Sequence, residues 1–247
     1  SDLLSAVEKS GGKPITIEYI RNEKTHTLTI TPKATENGFA IGVFVRDSVA
    51  GIGTLTYLDP QNGTYGALGH GITDSKTSTV VPLRDGELLP SRVESVKRGR
   101  PGEPGELIGS FDTTKSIATI EKNCDAGIFG KVTDKTFADA KKTYLTAEKN
   151  ELHRGKATIL SNIDGDEVKE YDIEITSIYF DGEKTKNMLI RATDPELIAK
   201  TGGIVCGMSG SPIIQDGKLV GAVTHVLVGD PTKGYAIFID NMLDMAG

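Results

Sequence analysis

Residues 207–212 read Gly207-Met208-Ser209-Gly210-Ser211-Pro212, a pattern that predicts a serine nucleophile in a tight glycine turn. A serine hydroxyl attacks a carbonyl only where a base takes its proton and fixed donors stabilise the charge that develops on the oxygen. Gly207 leaves its amide unobstructed and the Ser209 amide points the same way, so we expect these two amides to form an oxyanion hole. Glycine- and serine-rich runs are also common as plain turns, so the interpretation needs a base. Ser211 is the alternative nucleophile in this turn, but it lacks a glycine two positions before it.

The residues around this turn predict β-structure. A hairpin is expected from residues 212–215 and 218–228 around Asp216-Gly217, with Ser209 at the mouth of a β-barrel. Beyond residue 34, short β-rich runs are separated by dipeptides that supply the positive φ of tight turns: Asn62-Gly63, Asp85-Gly86, Asp164-Gly165 and Asp181-Gly182. Short helices are predicted at 134–142, at 195–200 and near the end, at 237–243. We therefore expect a mainly β chain built from closed barrels or sandwiches.

The base has to be one of four histidines, His26, His70, His153 and His225. His26 lies in a predicted hairpin and His153 in a charged stretch, so both are expected on the surface. His70 follows an apolar run and lies between two glycines, which allow a backbone or a substrate to approach closely. We therefore expect His70 to be the general base. His225 follows the serine on a predicted strand, and we interpret it as a structural or subsite residue.

Two aspartates compete for the role of the carboxylate that orients an imidazole base. Asp125 opens an apolar strand between His70 and Ser209, and the chain order His, Asp, Ser is that of chymotrypsin-like enzymes. Asp194 is closer to the serine, but Thr193-Asp194-Pro195 is also typical of a helix start with the aspartate as its N-cap. The pattern by itself does not choose between them.

Composition argues against several other classes of protein. The 247 residues carry a net charge of -6, so there is no basic field to hold a nucleic-acid backbone, and nucleic acid is not expected as a partner. The two cysteines, Cys124 and Cys206, cannot build a disulfide framework or a structural zinc site. We expect Cys206 to be a buried, unreactive thiol. No apolar run reaches the length of about 20 residues that is needed to span a bilayer. Neither a metal nor a cofactor is expected.

The first residues predict a separate unit. Apolar residues from Leu3 to Val7 fall at helical spacing, and Gly11-Gly12 ends that helix. Residues 14–19 and 25–31 alternate around Asn22-Glu23 and predict a hairpin. A helix and a hairpin are half a domain, so we divide the chain into residues 1–34 and residues 35–247. Because the chain starts inside a helix, we expect it to be a piece of a longer protein.

With these residues in hand, the chain is similar to the peptidases of the stage IV sporulation protein B (SpoIVB) family. The similarity covers nearly the whole chain and rests on residues 51–56, 193–205 and 221–226, on the Ser209 turn, and on Gly66-Ala67-Leu68-Gly69-His70-Gly71-Ile72-Thr73-Asp74. The resemblance implies a serine endopeptidase with a chymotrypsin-like double β-barrel in residues 35–247. It implies that residues 1–34 are the C-terminal part of a PDZ domain.

The resemblance also assigns roles to single residues. It implies Ser209 as the nucleophile and His70 as the base, and it favours Asp194 over Asp125 as the third member of the triad. Because the strand after the serine binds substrate in chymotrypsin-like enzymes, we expect the substrate site to be lined by Thr224, His225, Val226 and Cys206. The Thr224 hydroxyl is expected to bind the triad carboxylate.

The family implies a role in sporulation signalling. Its members are membrane-anchored, lie between the forespore and mother-cell membranes, and cleave the extracytoplasmic part of a membrane-bound regulatory complex, so that an intramembrane protease activates a late sigma factor. Met208 stands where digestive enzymes have an aspartate that captures a new N-terminus, so we expect control by the PDZ segment and by self-cleavage near it. Exposed strand edges in that segment would allow self-association. The alternative function is a non-catalytic scaffold that binds membrane-protein tails.

Overall fold

The computed structural model describes residues 2–21, 24–43, 48–75, 77–134, 136–137, 142–182 and 184–246. The chain divides into two compact units, Ser1–Ala50 and Gly51–Gly247. Strands dominate the described part of both units, so the prediction of a mainly β chain is confirmed.

The first unit contains the predicted helix and hairpin. Its elements are helix α1 (Asp2–Lys9) and strands β1 (Ile15–Arg21), β2 (Lys24–Ile30), β3 (Lys33–Thr35) and β4 (Gly38–Ala40). Strands β1 and β2 pair antiparallel, as do β3 and β4. Gly11 and Gly12 take φ of +57° and +84° after the helix, the left-handed conformation that glycine adopts without strain. The assignment of residues 1–34 to a PDZ domain stays a prediction.

An open sheet forms the first half of the second unit. Its strands are β5 (Leu55–Leu58), β6 (Thr64–Ala67), β7 (Glu87–Leu88), β10 (Ala118–Cys124) and β11 (Gly127–Val132). They lie in the order β5-β6-β11-β10-β7, and each neighbouring pair is antiparallel. Strands β8 (Ser91–Lys97) and β9 (Glu106–Phe111) form a separate antiparallel ribbon. This half of the fold is therefore a half-barrel with open edges.

A closed barrel forms the second half. Its six strands are β13 (Gly155–Ser161), β14 (Lys169–Ile178), β15 (Met188–Ala192), β16 (Pro212–Gln215), β17 (Lys218–Val226) and β18 (Lys233–Phe238). The order β17-β16-β13-β14-β15-β18 closes because β18 also pairs with β17. A short strand β12 (Leu145–Thr146) adds parallel to β17, and a 3₁₀ turn follows at Lys149–Glu151. Closure removes the free strand edges of the sheet, and the two halves together have the predicted double-barrel architecture.

Two further helices lie at or close to the positions that the sequence predicts. Helix α2 (Pro195–Thr201) begins after the N-cap Asp194 and ends at Gly202, as predicted. Helix α3 (Ile239–Ala246) begins two residues later than the predicted C-terminal helix, because Ile237 still belongs to β18. The predicted helix at 134–142 falls largely outside the described residues. None of the described helices is both long enough and apolar enough to span a membrane.

The open sheet and the closed barrel share a hydrophobic core. Ile159, Ile173 and Phe238 are almost fully buried inside the closed barrel. Phe129 of the open sheet packs in one cluster with Ala222 and Ile237 of the barrel. Because burial of such side chains is the main favourable term in folding, this contact fixes how the loops of the two halves meet.

Candidate active site

The serine turn, residues 205–211, connects α2 to β16. Gly207 and Gly210 take φ of +97° and +91°, which explains why the turn contains two glycines. A Cβ on Gly210 would lie 2.1 Å from the Thr54 carbonyl oxygen, so no larger residue fits there. The half-buried Ser209 hydroxyl donates to the Thr224 carbonyl over 3.0 Å.

Of the four amides from Gly207 to Gly210 in the serine turn, two are used in hydrogen bonds within the protein. The amides of Met208 and Gly210 donate to the carbonyls of Val205 and Val223. Within the part of the chain that the structure describes, the Gly207 and Ser209 amides donate to no protein acceptor. A pair of unused donors beside a serine is the arrangement that an oxyanion hole requires.

The histidine loop, residues 68–72, follows β6. Leu68 and Gly69 take φ of +71° and +68°, and a Cβ on Gly69 would meet the Thr224 methyl group at 3.0 Å. The His70 Nδ1 lies 3.0 Å from the Gly71 carbonyl oxygen. Since a carbonyl can only accept, Nδ1 carries the proton and Nε2 keeps its lone pair. This tautomer is the one that a general base needs.

One residue joins the serine turn to the histidine loop. The Thr54 amide donates to the Ser209 carbonyl over 2.8 Å, and the Thr54 carbonyl accepts from the Leu68 amide over 3.1 Å. Among the described contacts there is no hydrogen bond between the Ser209 hydroxyl and His70. Proton transfer therefore requires the hydroxyl to turn from the Thr224 carbonyl toward Nε2, a tightening that commonly accompanies substrate binding.

The side chain of Asn123 holds the histidine loop, a role that the sequence did not predict. Its side-chain amide donates to the carbonyls of Ile72 and Val81 over 3.0 and 2.9 Å, and its oxygen accepts from the Ile72 amide over 2.9 Å. The partners lie 51 and 42 residues away along the chain, so no local pattern marks this asparagine.

The two candidate carboxylates lie in different parts of the fold. Asp194 caps α2: its carboxylate accepts from the Leu197 amide over 3.0 Å and from the Asp172 amide over 3.4 Å. Asp125 is exposed in the turn between β10 and β11. In the described structure neither carboxylate makes a hydrogen bond to His70. The choice between them therefore stays a prediction.

Two of the residues expected to line the substrate site, Thr224 and His225, contact the candidate serine and histidine. The ring of the exposed His225 lies 5.0 Å from the ring of His70, centroid to centroid, at an interplanar angle of 35°. Val226 is half-buried at the end of β17. Thr224 is buried, and its hydroxyl donates to the Thr185 carbonyl over 2.9 Å, so the expectation that it binds a carboxylate is wrong.

The two other histidines are on the surface, and the two cysteines are unpaired with each other. His26 and His153 are exposed, and His153 binds Asp216. Both cysteines are free thiols, and Cys206 is exposed, so the expectation of a buried thiol is wrong. Partial burial of the sulfur and the nearby Glu106 carboxylate raise the pKa of Cys206, which keeps the thiol protonated and a weak nucleophile.

Comparison with known proteins gives one finding. A family model described as SpoIVB peptidase S55 matches residues 37–243, most of the chain and all the residues of the candidate site. No curated protein matches the sequence.

Proposed function

Because the chain belongs to the SpoIVB peptidase family S55, a family of serine endopeptidases that act in sporulation, we propose that Ser209 is its nucleophile and His70 its general base. The observation that carries the proposal is the pairing of two unused amides with a serine whose turn is bonded, through Thr54, to the histidine loop. A nucleophile, a base and fixed donors are the parts that peptide-bond cleavage by serine requires.

In the mechanism that we propose, each group has a step in the reaction. The Ser209 hydroxyl gives its proton to Nε2 of His70 as its oxygen attacks the peptide carbonyl. The Gly207 and Ser209 amides stabilise the oxyanion that forms. The imidazolium then protonates the leaving amine as the carbon–nitrogen bond breaks. In the second half, His70 takes a proton from water, which attacks the acyl group, and returns that proton to Ser209.

Asp194 is our proposal for the third member of the triad, on the strength of the family resemblance. Its place between β15 and the serine turn supports the proposal. Its carboxylate accepts from the amides of Leu197 and Asp172, and Nδ1 of His70 binds the Gly71 carbonyl. The assignment therefore requires Nδ1 to exchange that carbonyl for the Asp194 carboxylate. Comparison of Asp194→Asn with Asp125→Asn tests this assignment directly.

We propose that peptide substrate binds along Thr224, His225 and Val226, with Cys206 on the other side of the serine turn. The Ser209 hydroxyl contacts the Thr224 carbonyl, and the His225 ring faces the His70 ring, which supports a binding strand beside the reacting groups. The Cys206 side chain is exposed two residues before Met208, where it is accessible to substrate.

The biological role that we propose follows the family. The substrate is the extracytoplasmic part of a membrane-bound regulatory complex, cleaved between the forespore and mother-cell membranes so that an intramembrane protease activates a late sigma factor. Self-cleavage near the PDZ segment and self-association through that segment belong to the same proposal. Its support is the family match over residues 37–243 and the exposed faces of β1 and β2.

The deciding experiment compares wild type with Ser209→Ala. We expect wild type to cleave peptides in a library digest read by mass spectrometry and to react with a fluorophosphonate probe at Ser209. The Ser209→Ala variant should keep the same circular dichroism spectrum and lose both reactions. Cleavage that persists in the variant would remove Ser209 from the mechanism. If wild type itself neither cleaves nor reacts, the chain is a non-catalytic scaffold instead.

A further inference from the structure

We infer that Thr56, which lies 153 residues before Ser209, positions the oxyanion hole: its hydroxyl fixes the Ser209 amide through two intervening peptide groups. The inference rests on the proposed function, because it takes Ser209 as the nucleophile and its amide as an oxyanion donor. Thr56 is a positioning residue, since it acts on the reacting atoms only through the backbone of the serine turn.

The first link runs from the open sheet to the serine turn. Thr56 lies on β5 and is 5% exposed. Its hydroxyl donates to the Gly210 carbonyl over 2.8 Å. A hydroxyl has a single proton to donate, so this bond gives the Thr56 hydroxyl one orientation. The contact ties a rigid strand to the residue directly after the nucleophile.

The second link runs through two peptide groups. The peptide that carries the Gly210 carbonyl also carries the Ser211 amide, and that amide donates to the Met208 carbonyl over 2.9 Å. The peptide that carries the Met208 carbonyl also carries the Ser209 amide. In a planar trans peptide the N–H and the C=O point in opposite directions. Fixing the carbonyls of Gly210 and Met208 therefore aims the Ser209 amide away from the turn.

The chain of hydrogen bonds has an electrostatic consequence as well. Hydrogen bonds in series polarise one another, and they do so more strongly in a buried, low-dielectric site. The Thr56 hydroxyl therefore increases the positive charge on the Ser209 N–H as well as fixing its direction. The Gly207 amide has a separate support, since the carbonyl of its peptide, on Cys206, accepts from the Leu107 amide over 2.9 Å. Loss of the Thr56 hydroxyl should weaken one of the two donors.

The test compares Thr56→Val, which removes the hydroxyl and keeps the shape, with Thr56→Ser, which keeps the hydroxyl. The substrate is a peptide that wild type cleaves in a library digest. Removing an oxyanion donor outright costs about 10²–10³-fold in kcat, so we expect misorientation in Thr56→Val to lower kcat about 10-fold, with KM within about twofold. Thr56→Ser should restore kcat to within about threefold of wild type.

The matched control is Thr176→Val. The half-buried Thr176 lies on β14 and donates to the Leu189 carbonyl over 3.0 Å, so Thr176→Val loses the same kind of bond in the closed barrel instead of the open sheet. Its kcat should stay at the wild-type value. Equal kcat in Thr56→Val and wild type overturns the inference, and so does an equal fall in Thr56→Val and Thr56→Ser.

A second measurement separates positioning from general loss of structure. A peptidyl boronate with the cleaved sequence forms a tetrahedral adduct that uses the oxyanion hole, whereas the uncleaved peptide bound to Ser209→Ala does not need it. We expect Thr56→Val to weaken boronate binding by the same factor as kcat/KM and to leave peptide binding in the Ser209→Ala background unchanged. Equal weakening of both would overturn the inference. Failure of the proposed function is a different result: turnover that survives Ser209→Ala.

Discussion

The serine turn and the histidine loop, the two halves of the candidate active site, are held by different means. The serine turn is held by bonds of its own backbone, from the Met208 amide to the Val205 carbonyl within the turn and from the Gly210 amide to the Val223 carbonyl of β17, and by the Thr56 hydroxyl. The histidine loop contains Leu68 in the left-handed region, which is costly for a residue with a side chain, and it is held by the side chain of Asn123.

The difference predicts how the two halves fail. Bonds of the backbone survive most side-chain substitutions, so the serine turn should keep its shape when single residues around it other than Thr56 change. The histidine loop relies, besides its backbone bonds, on the Asn123 side chain for three further hydrogen bonds, so a single substitution there can loosen it. Thr54 is common to both, because its amide binds the Ser209 carbonyl and its carbonyl binds the Leu68 amide.

Removal of the imidazole should have the largest effect. We expect His70→Ala to lower kcat about 10⁶-fold, the scale found when the base of a serine protease is deleted, because it removes the imidazole that takes the Ser209 proton in the proposed mechanism. Steady-state kinetics on a cleaved peptide measure the loss. His153→Ala is the control, since His153 is exposed and binds Asp216, and it should retain wild-type kcat. Comparable losses in both variants contradict the assignment of His70.

The carboxylate pair should have the next largest effect. As proposed third member, Asp194 holds the imidazole, so we expect Asp194→Asn to lower kcat by about 10⁴-fold. Asparagine caps helices as well as aspartate does, so α2 and the melting temperature should be unchanged. Asp125→Asn serves as the comparison and should keep its activity. The reverse result assigns the role to Asp125, and full activity in both variants leaves Ser209 and His70 as a dyad.

Release of the histidine loop should have a smaller effect. Asn123→Ala removes three hydrogen bonds to backbone groups of Ile72 and Val81. We expect it to lower the free energy of unfolding by about 1–3 kcal/mol and to lower kcat, because His70 loses its fixed position. Urea denaturation and kinetics below the melting temperature measure both quantities.

Asn162→Ala is the control for the histidine loop. Asn162 also bonds backbone groups, of Asp164 and Gly165, but in the turn between β13 and β14. It should lose stability and keep kcat. If Asn123→Ala also keeps kcat, the histidine loop does not depend on this side chain.

The smallest effect is expected for substitution of Tyr57, which lies on β5, the strand that begins directly after Thr54. Its hydroxyl is buried without a hydrogen-bond partner among the described residues, and burial, aided by Asp59, raises its pKa to about 12. In the unfolded chain the pKa of tyrosine is about 10. The raised pKa therefore contributes stability that is fully present below pH 10 and is lost as pH rises from 10 through 12. Tyr57→Phe should leave stability at pH 7 nearly unchanged and weaken the alkaline loss in thermal melts.

Much of the local structure was predictable from sequence. The turn at Asp216-Gly217 takes φ of +51° and +78°, as its dipeptide predicts, and Asp194 and Pro195 start α2. The helix and hairpin of the first unit follow from spacing alone. The two errors, a carboxylate partner for Thr224 and burial of Cys206, concern contacts between segments far apart in the chain. Such contacts depend on how sheets pack, which local patterns do not encode.

The sequence by itself determined the glycine turn around Ser209 and the choice of His70 among four histidines, because both follow from residue types within a few positions. Only the tertiary structure decided how these groups are held: Thr54 between the two loops, Asn123 against residues 72 and 81, and Thr56 on the Gly210 carbonyl. The physical reason is that such bonds join residues far apart in the sequence: the Asn123 bonds exist only after the open sheet has formed, and the bonds of Thr54 and Thr56 to the serine turn only after that sheet and the closed barrel have packed together.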